Sequence, residues 1–341
     1  MKITKILVAL AFLFGVSTAN AGEITVTGSM ETTYHTGSEV TTGNPIGMDR
    51  ELKFAGSTEL DNGVTVSMFQ DTSDSLAFGN THLEFGNIAG MVTVYVGSDK
   101  DPVDAIDDVT PSAYEEANGS GSGTGYEDVG DLAGDTGIGI RFSLPILGAI
   151  DAKYYPKVDG SEAADNANSN DTNHAVGSGN SISIKPDLAA IPGIGGALEG
   201  LSLVAGYEEE DTTTVAGADE KEGATAALNY ATGQFKIGLQ KKYINEGLSG
   251  TAGDEEAFRV DTILGLAYAI NDSLSISYNR YESKKHENDS VNNETQETDA
   301  INIGYTVGGM TIGFQDAQTD NASYTASTKD DTRTLGISVA F

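Results

Sequence analysis

Leu335-Gly336-Ile337-Ser338-Val339-Ala340-Phe341 decides the reading of this chain. Apolar side chains fall on every second position, with small or polar ones between them. In a strand, successive side chains point to opposite faces, so this segment presents one greasy face and one wet face. Many soluble strands alternate as well; recurrence along the chain gives the pattern its weight. Ile24, Val26, Met30 and Tyr34 stand against Glu23, Thr25, Thr27, Glu31 and Thr33. Phe235, Ile237, Leu239 and Tyr243 stand against Gln234, Lys236, Gln240 and Lys242, and Phe258, Val260, Leu264 and Leu266 stand against Arg259, Asp261 and Gly265. Charges keep to one parity, which a period of two explains and a helical period does not. Sixteen such segments follow Glu23.

Residues 1–21 read as a signal peptide. Lys2 and Lys5 precede an apolar run from Ile6 to Val16, and Ala19-Asn20-Ala21 supplies small residues for cleavage before Gly22. The remainder, 22–341, reads as one domain. No other stretch approaches the roughly 18 apolar residues of a membrane helix. A membrane-bound mature chain would therefore be a closed barrel, the other structure that satisfies every backbone group in lipid. Cysteine is absent, which removes disulfides and thiolate sites. The net charge of −32 becomes −34 once Lys2 and Lys5 leave, a balance that repels nucleic acid and attracts cations.

The connections alternate in length. Asp61-Asn62-Gly63, Ala231-Thr232-Gly233, Asn271-Asp272 and Gly308-Gly309 read as tight turns. Between them lie polar loops at 36–46, 71–79, 98–136, 159–179, 208–222, 244–256, 282–299 and 316–331. Short periplasmic turns and long extracellular loops are the asymmetry of an antiparallel outer-membrane barrel. One turn is anomalous: Pro186 to Gly200 is long, apolar and Gly-rich. Tyr and Phe near strand ends on the apolar parity, such as Tyr34, Tyr207, Tyr278 and Tyr305, suit interfacial girdles.

Leu52-Lys53-Phe54-Ala55-Gly56-Ser57-Thr58-Glu59-Leu60-Asp61-Asn62-Gly63 is similar to the strand–turn motif of general, sixteen-stranded bacterial outer-membrane porins. Glu84-Phe85-Gly86-Asn87, followed by Val92 to Gly97 and one very long loop, carries the same resemblance. The terminal Phe341, with Ile337 and Val339 on its parity, resembles the family's signal to the barrel-assembly machinery. The resemblance implies an all-β, 16-stranded transmembrane barrel in the cell outer membrane, in contact with lipid and lipopolysaccharide, as a homotrimer. It also implies a third loop, 98–136, that folds inward to narrow the pore. Read without the family, that loop is a solvated acidic loop outside the cell.

The loop holds eleven acids and one base, Lys100. Asp101, Asp104, Asp107, Asp108, Glu115 and Glu116 are its candidate constriction residues. In the family a basic wall faces such a loop. Here the candidates are Lys53, Arg141, Lys153 and Arg259, with Lys53 and His82 the lone inward bases of segments two to four. A neutralising role beside lumen acids such as Asp151 or Asp261 is the competing reading for each base. A charge replacing Gly265 or Ala267 on the lumen parity is expected to be tolerated.

The expected function is passive diffusion of ions and small hydrophilic solutes, with modest cation preference. A substrate-selective channel with lumen aromatics (Tyr155, Tyr281, Phe69), or an adhesin-like barrel with a plugged pore, is the alternative. His35, His82, His174 and His286 form no metal or catalytic cluster, and neither an enzyme nor a resident cofactor is expected. Acidic loop clusters such as Glu208-Glu209-Glu210-Asp211 and Asp254-Glu255-Glu256 offer oxygen ligands for weak calcium or magnesium binding.

Overall fold

The alternating segments become strands of a single closed sheet. The structure, a computed structural model, describes residues 24–37, 44–72, 78–117, 126, 128–130, 132, 136–156, 177–211, 220–245, 247, 258–286 and 294–341. The expected leader, the cleavage site, Glu127, Asp131, Asp135, His174 and Asp254-Glu255-Glu256 lie outside these.

The first quarter of the barrel comprises β1 (Ile24–Gly37), β2 (Ile46–Glu59), β3 (Thr65–Thr72) and β4 (Phe78–Ile88). β5 (Val92–Gly97) leads into the third loop, after which come β6 (Gly137–Leu144), β7 (Gly148–Tyr155) and β8 (Gly179–Lys185). Next are β9 (Leu201–Glu210), β10 (Lys221–Thr232), β11 (Phe235–Asn245) and β12 (Phe258–Ala269). β13 (Leu274–His286), β14 (Thr295–Val307), β15 (Met310–Asp320) and β16 (Lys329–Ala340) complete it. Each strand pairs antiparallel with its sequence neighbours, and β16 returns to β1 to close the barrel. Closure removes every edge, so lipid meets no unpaired backbone. No helix among the described residues is long and apolar enough to cross a membrane; the chain crosses with strands.

The parity read from sequence is the parity of the wall. Ile237, Leu239, Leu266, Ile276, Ile301, Ile303, Leu335 and Ile337 are exposed on the outer face. Gln240, Asp261, Asn279, Asn302 and Gln315 point inward and are buried. Apolar-out and polar-in is the inverse of a soluble core, as a water-filled lumen inside lipid requires. The outward aromatics Tyr34 and Tyr207 lie toward the long-loop rim; Tyr230, Tyr305 and Phe341 lie toward the short-turn rim.

Several strands run further than expected. β9 includes Glu208, Glu209 and Glu210, β13 continues to His286, and β15 reaches Asp320. At the long-loop rim the outer parity turns polar, so alternation fades while ladder hydrogen bonding persists. Residues 208–210, expected in a polar loop, are thereby strand. Glu208 and Glu210 are buried on the lumen side, whereas Glu209 faces outward, accepting from Asn180 Nδ2 at 3.1 Å and from Tyr207 Oη at 3.3 Å.

Candidate functional site

The third loop does not leave the barrel. It enters the lumen after β5 and follows the inner wall from β7 round to β1. Asp101 anchors its start: the buried carboxylate accepts from the Val103 and Asp104 N–H groups at 2.7 and 2.8 Å, from Ser181 Oγ on β8 at 3.2 Å, and from the Tyr155 hydroxyl on β7. Val103 then packs with Val129 and with Ile244 of β11. A single 3-10 turn, Asp104–Ile106, turns Ile106 onto Val204 of β9 and Ala227 of β10 while Asp104 stays in water. Further on, Ala117 and Tyr126 pack on Ile263, Tyr281, Ala300 and Ala317.

A loop buried inside a barrel brings backbone carbonyls that need donors. The wall supplies them as uncharged amides. Gln240 donates to the carbonyls of Ile106 (3.0 Å) and Asp107, Asn229 to that of Val109 (3.0 Å), and Asn279 to that of Pro111 (3.0 Å). Gln315 reaches the carbonyls of Glu115 and Glu116 at 3.1 and 2.8 Å.

Inward-facing glycines give the loop its room. A Cβ on Gly265 would stand 2.6 Å from the Pro111 carbonyl oxygen, and one on Gly206 would stand 2.9 Å from Ile106 Cδ1. Gly238 is pressed by Pro111, Gly304 by the Ala113 carbonyl, and Gly313 and Gly336 by the Tyr114 ring and hydroxyl. Gly265 is therefore not the tolerant lumen position its parity implies; any side chain there displaces Pro111. The sequence pattern places Gln240 and Gly265 on the lumen parity but gives neither a part in holding the loop. Their shared signal was there: Gly and Asn or Gln on the lumen parity of β9 to β16, where a plain aqueous wall needs neither.

The candidate constriction acids divide. Asp101 is a correction, being buried in the wall contact rather than exposed to the passage. Asp104 and Asp108 are exposed, and Asp107, Glu115 and Glu116 are half-buried on the loop. Burial, then the carboxylates of Asp108 and Asp128, pushes Asp107 up to about 8. Burial followed by Asp108 pushes Glu116 up to about 7, although the Thr110 hydroxyl donates to it at 2.7 Å. Glu115 is raised by burial, Glu31 and Asp108. The balancing charge is Lys242 of β11, which sequence reasoning placed on the lumen face without a role. Its fully buried side chain pairs with Asp108 at 2.9 Å and with Asp128. Oxygens of Asp107, Asp108 and Asp128 lie within 4.8 Å of one another, and the Lys242 ammonium supplies positive charge to that group.

The candidate basic wall also divides. Lys53 of β2 is exposed and pairs with Glu51 at 2.8 Å. Arg141 of β6 lies half-exposed against Asp151, with Nε to Oδ2 at 2.7 Å. Lys153 and Arg259 are corrections: both are buried. Lys153 Nζ donates to the Asp99 carbonyl at 3.1 Å, and the Arg259 guanidinium lies 5.4 Å from the Tyr324 ring centroid. Long side chains on the lumen parity of β7 and β12 are covered there by the loops above them. His82 of β4 meets Asp99 at 2.9 Å, and that contact, the largest cause, holds Asp99 below the usual carboxylate range. Beside it Lys100 pairs with Glu84. Facing the loop across the passage, β2 to β4 therefore carry both signs, whereas the loop's own accessible groups are acidic apart from Lys100. Of the lumen aromatics, Tyr155 and Tyr281 are covered by Leu132 and Tyr126, and Phe69 stacks on His82, so they form no ladder along the passage.

A family model described as Gram-negative porin matches residues 7–341. A comparison with curated protein sequences finds no match. Among solved structures, the chain is similar to a loop-deletion mutant of OmpT, an outer membrane protein of Vibrio cholerae. The two share 12% identity at a TM-score of 0.69, over 94% of this chain and 100% of that one. The same protein in a trimer form gives 0.67 at 12% identity, over 94% and 100%. A mutant of the Rhodopseudomonas blastica porin gives 0.61 at 17% identity, over 94% and 100%. At these identities the likeness concerns the fold.

Proposed function

This chain belongs to the Gram-negative porin family, and from that premise we propose that it is a passive outer-membrane channel with modest cation preference. Sixteen strands leave an aqueous lumen rather than a packed core. Transport is diffusion through the gap between the third loop and the wall of β2 to β4, filtered by width and by fixed charge.

One observation carries the selectivity. On the loop side Asp104 and Asp108 are exposed and Asp107 and Glu115 half-buried, and Lys242, which pairs with Asp108, has its side chain buried. Lys100, the loop's one base, and Lys53 and Arg141 on the wall each pair with a carboxylate. The net field therefore attracts cations. Fixed charges act over a Debye length of about 10 Å at 0.1 M salt, so the preference is strongest in dilute electrolyte. Homotrimeric assembly and contact with lipopolysaccharide belong to the same proposal; the trimer form of the similar OmpT supports the former.

The test is single-channel recording in planar bilayers under a potassium chloride gradient. A stepwise conductance with a cation-directed reversal potential, weakening as salt rises, is expected. An anion-directed potential would mean that Lys53, Lys100 and Arg141 outweigh the loop acids. Absence of any conductance would favour a plugged barrel.

A further inference from the structure

The turn from Pro186 to Gly200 is built unlike the other connections at its rim. The β2–β3, β10–β11, β12–β13 and β14–β15 turns are short, polar or glycine-rich. This one runs from Leu188 to Leu198 without a single polar side chain; Asp187 and Glu199 sit at its roots. It is nonetheless ordered by its own backbone. Two 3-10 turns, Leu188–Ala190 and Gly195–Leu198, are joined by a Gly195 N–H to Ile191 carbonyl bond of 2.8 Å, and the Asp187 carboxylate caps Ala190 N–H at 3.2 Å.

Its tip is exposed: Ile194 is 54% accessible. The neighbouring β6–β7 turn, Pro145-Ile146-Leu147, joins it through an Asp187 N–H to Ile146 carbonyl bond of 3.0 Å, and exposes Ile146 and Leu147 at 40% and 49%. Ile146 holds a φ of +67° there. A β-branched residue in the left-handed region is strained, where glycine or asparagine would sit freely. Water gives nothing back for an exposed isoleucine at that cost. An apolar surrounding would.

We infer that these two turns form a collar that rests in the phospholipid leaflet at the short-turn rim. The collar joins the lipid-facing band at the shorter turn, where Leu144 of β6 runs directly into Pro145-Ile146-Leu147; at the longer turn the exposed Lys185, Asp187 and Glu199 stand between the apolar run and Ile184 of β8 and Leu201 of β9. A protein partner would be met by aromatic or arginine anchors, and the collar has none. A lipid surface needs only contiguous apolar area at the headgroup–acyl boundary, without directional groups. The collar is separate from the pore, so it stands or falls independently of conductance.

The chain contains no tryptophan, which makes a single introduced one an unambiguous reporter. Ile194→Trp is reconstituted in vesicles of phosphatidylethanolamine and phosphatidylglycerol, with Leu203→Trp on the outer face of β9 as the lipid reference and Asn62→Trp in the β2–β3 turn as the water reference. The expected result is blue-shifted emission, quenched by acyl-brominated phospholipid as in the Leu203→Trp barrel and shielded from acrylamide. Red-shifted emission with the acrylamide access of Asn62→Trp overturns the inference. Blue-shifted emission that brominated lipid leaves unquenched overturns it too, and places a second copy or another protein on the collar. Should Ile194→Trp fail to give a folded barrel, Leu147→Trp reports on the same surface.

Discussion

The Tyr114 hydroxyl donates to Glu31 Oε1 at 2.9 Å, tying the loop that leaves the wall after β5 to β1, beyond the seam where β16 closes the barrel. The tyrosine ring crosses β15 and β16 over Gly313 and Gly336 to get there. The third loop is thus a strap held near its start by Asp101 on β7 and β8 and midway by Tyr114 on β1.

Removing the hydrogen bond alone should loosen the strap slightly. Tyr114→Phe forfeits a hydrogen bond to a carboxylate, about 1.5–3 kcal/mol, and should increase open-channel noise with little change in mean conductance. Gly336→Val, which fills the space the Tyr114 hydroxyl occupies, should change the conductance itself while the barrel remains heat-modifiable on gels. Unchanged conductance in Gly336→Val would mean that Tyr114 does not set the width.

Lys242 should be indispensable to loop position. Breaking a fully buried ion pair by removing one partner costs about 3–5 kcal/mol; here the carboxylates left behind are partly exposed, so the cost is smaller. Lys242→Met leaves Asp108 and Asp128 uncompensated and should expose residues 101–117 to hydrogen exchange, whereas Asp108→Asn should do so far less. Equal protection in Lys242→Met and the parent would contradict the pairing.

Selectivity should rise with pH. Asp107 is pushed up to about 8 and Glu116 to about 7, so the docked loop holds protons that the undocked chain has released above its ordinary carboxylate range. Docking is therefore strongest at low pH and weakens as pH climbs from about 4 to about 8. Over the same window the passage gains negative charge. Reversal potentials measured between about pH 5 and pH 9 should show growing cation preference. Asp107→Asn should flatten the upper part of that rise.

Charge should be rejected on one parity and accepted on the other. Arginine at the bilayer midplane of a barrel costs about 2–4 kcal/mol, so Leu264→Arg should lower the yield of folded barrel. Thr27→Arg, on the exposed lumen face of β1, should fold and shift conductance. Gly265→Arg should also disturb the pore, through Pro111 rather than through lipid. Equal folded yields for Leu264→Arg and Thr27→Arg would sink the assignment of faces.

Deleting Phe341 should slow assembly and spare the pore. The residue exchanges two backbone hydrogen bonds with Gly28, at 2.8 and 3.0 Å, and its ring covers Gly28 on the outer face. Pulse-chase measurement of folded barrel should show the delay; single channels from the assembled fraction should match the parent.

The sequence by itself determined the architecture. A period of two is local and binary, so Ile337 and Val339 declared their face without reference to anything distant, and the alternation of long and short connections fixed strand count and direction. It also marked Asp104, Asp107 and Asp108 as an acidic group, because a charge run is visible wherever it folds. Only the tertiary structure decided which charges meet water. Asp101 and Glu116 both belong to the same acidic run, yet one is spent on Tyr155 and Ser181 and the other stays half-exposed. Lys153 and Arg259 share the parity of Lys53 but disappear beneath loops whose paths no local pattern encodes. Periodicity assigns a side chain to a face. Whether that face is then covered depends on contacts between residues as far apart as Pro111 and Gly265, and those exist only once the barrel has closed around its loop.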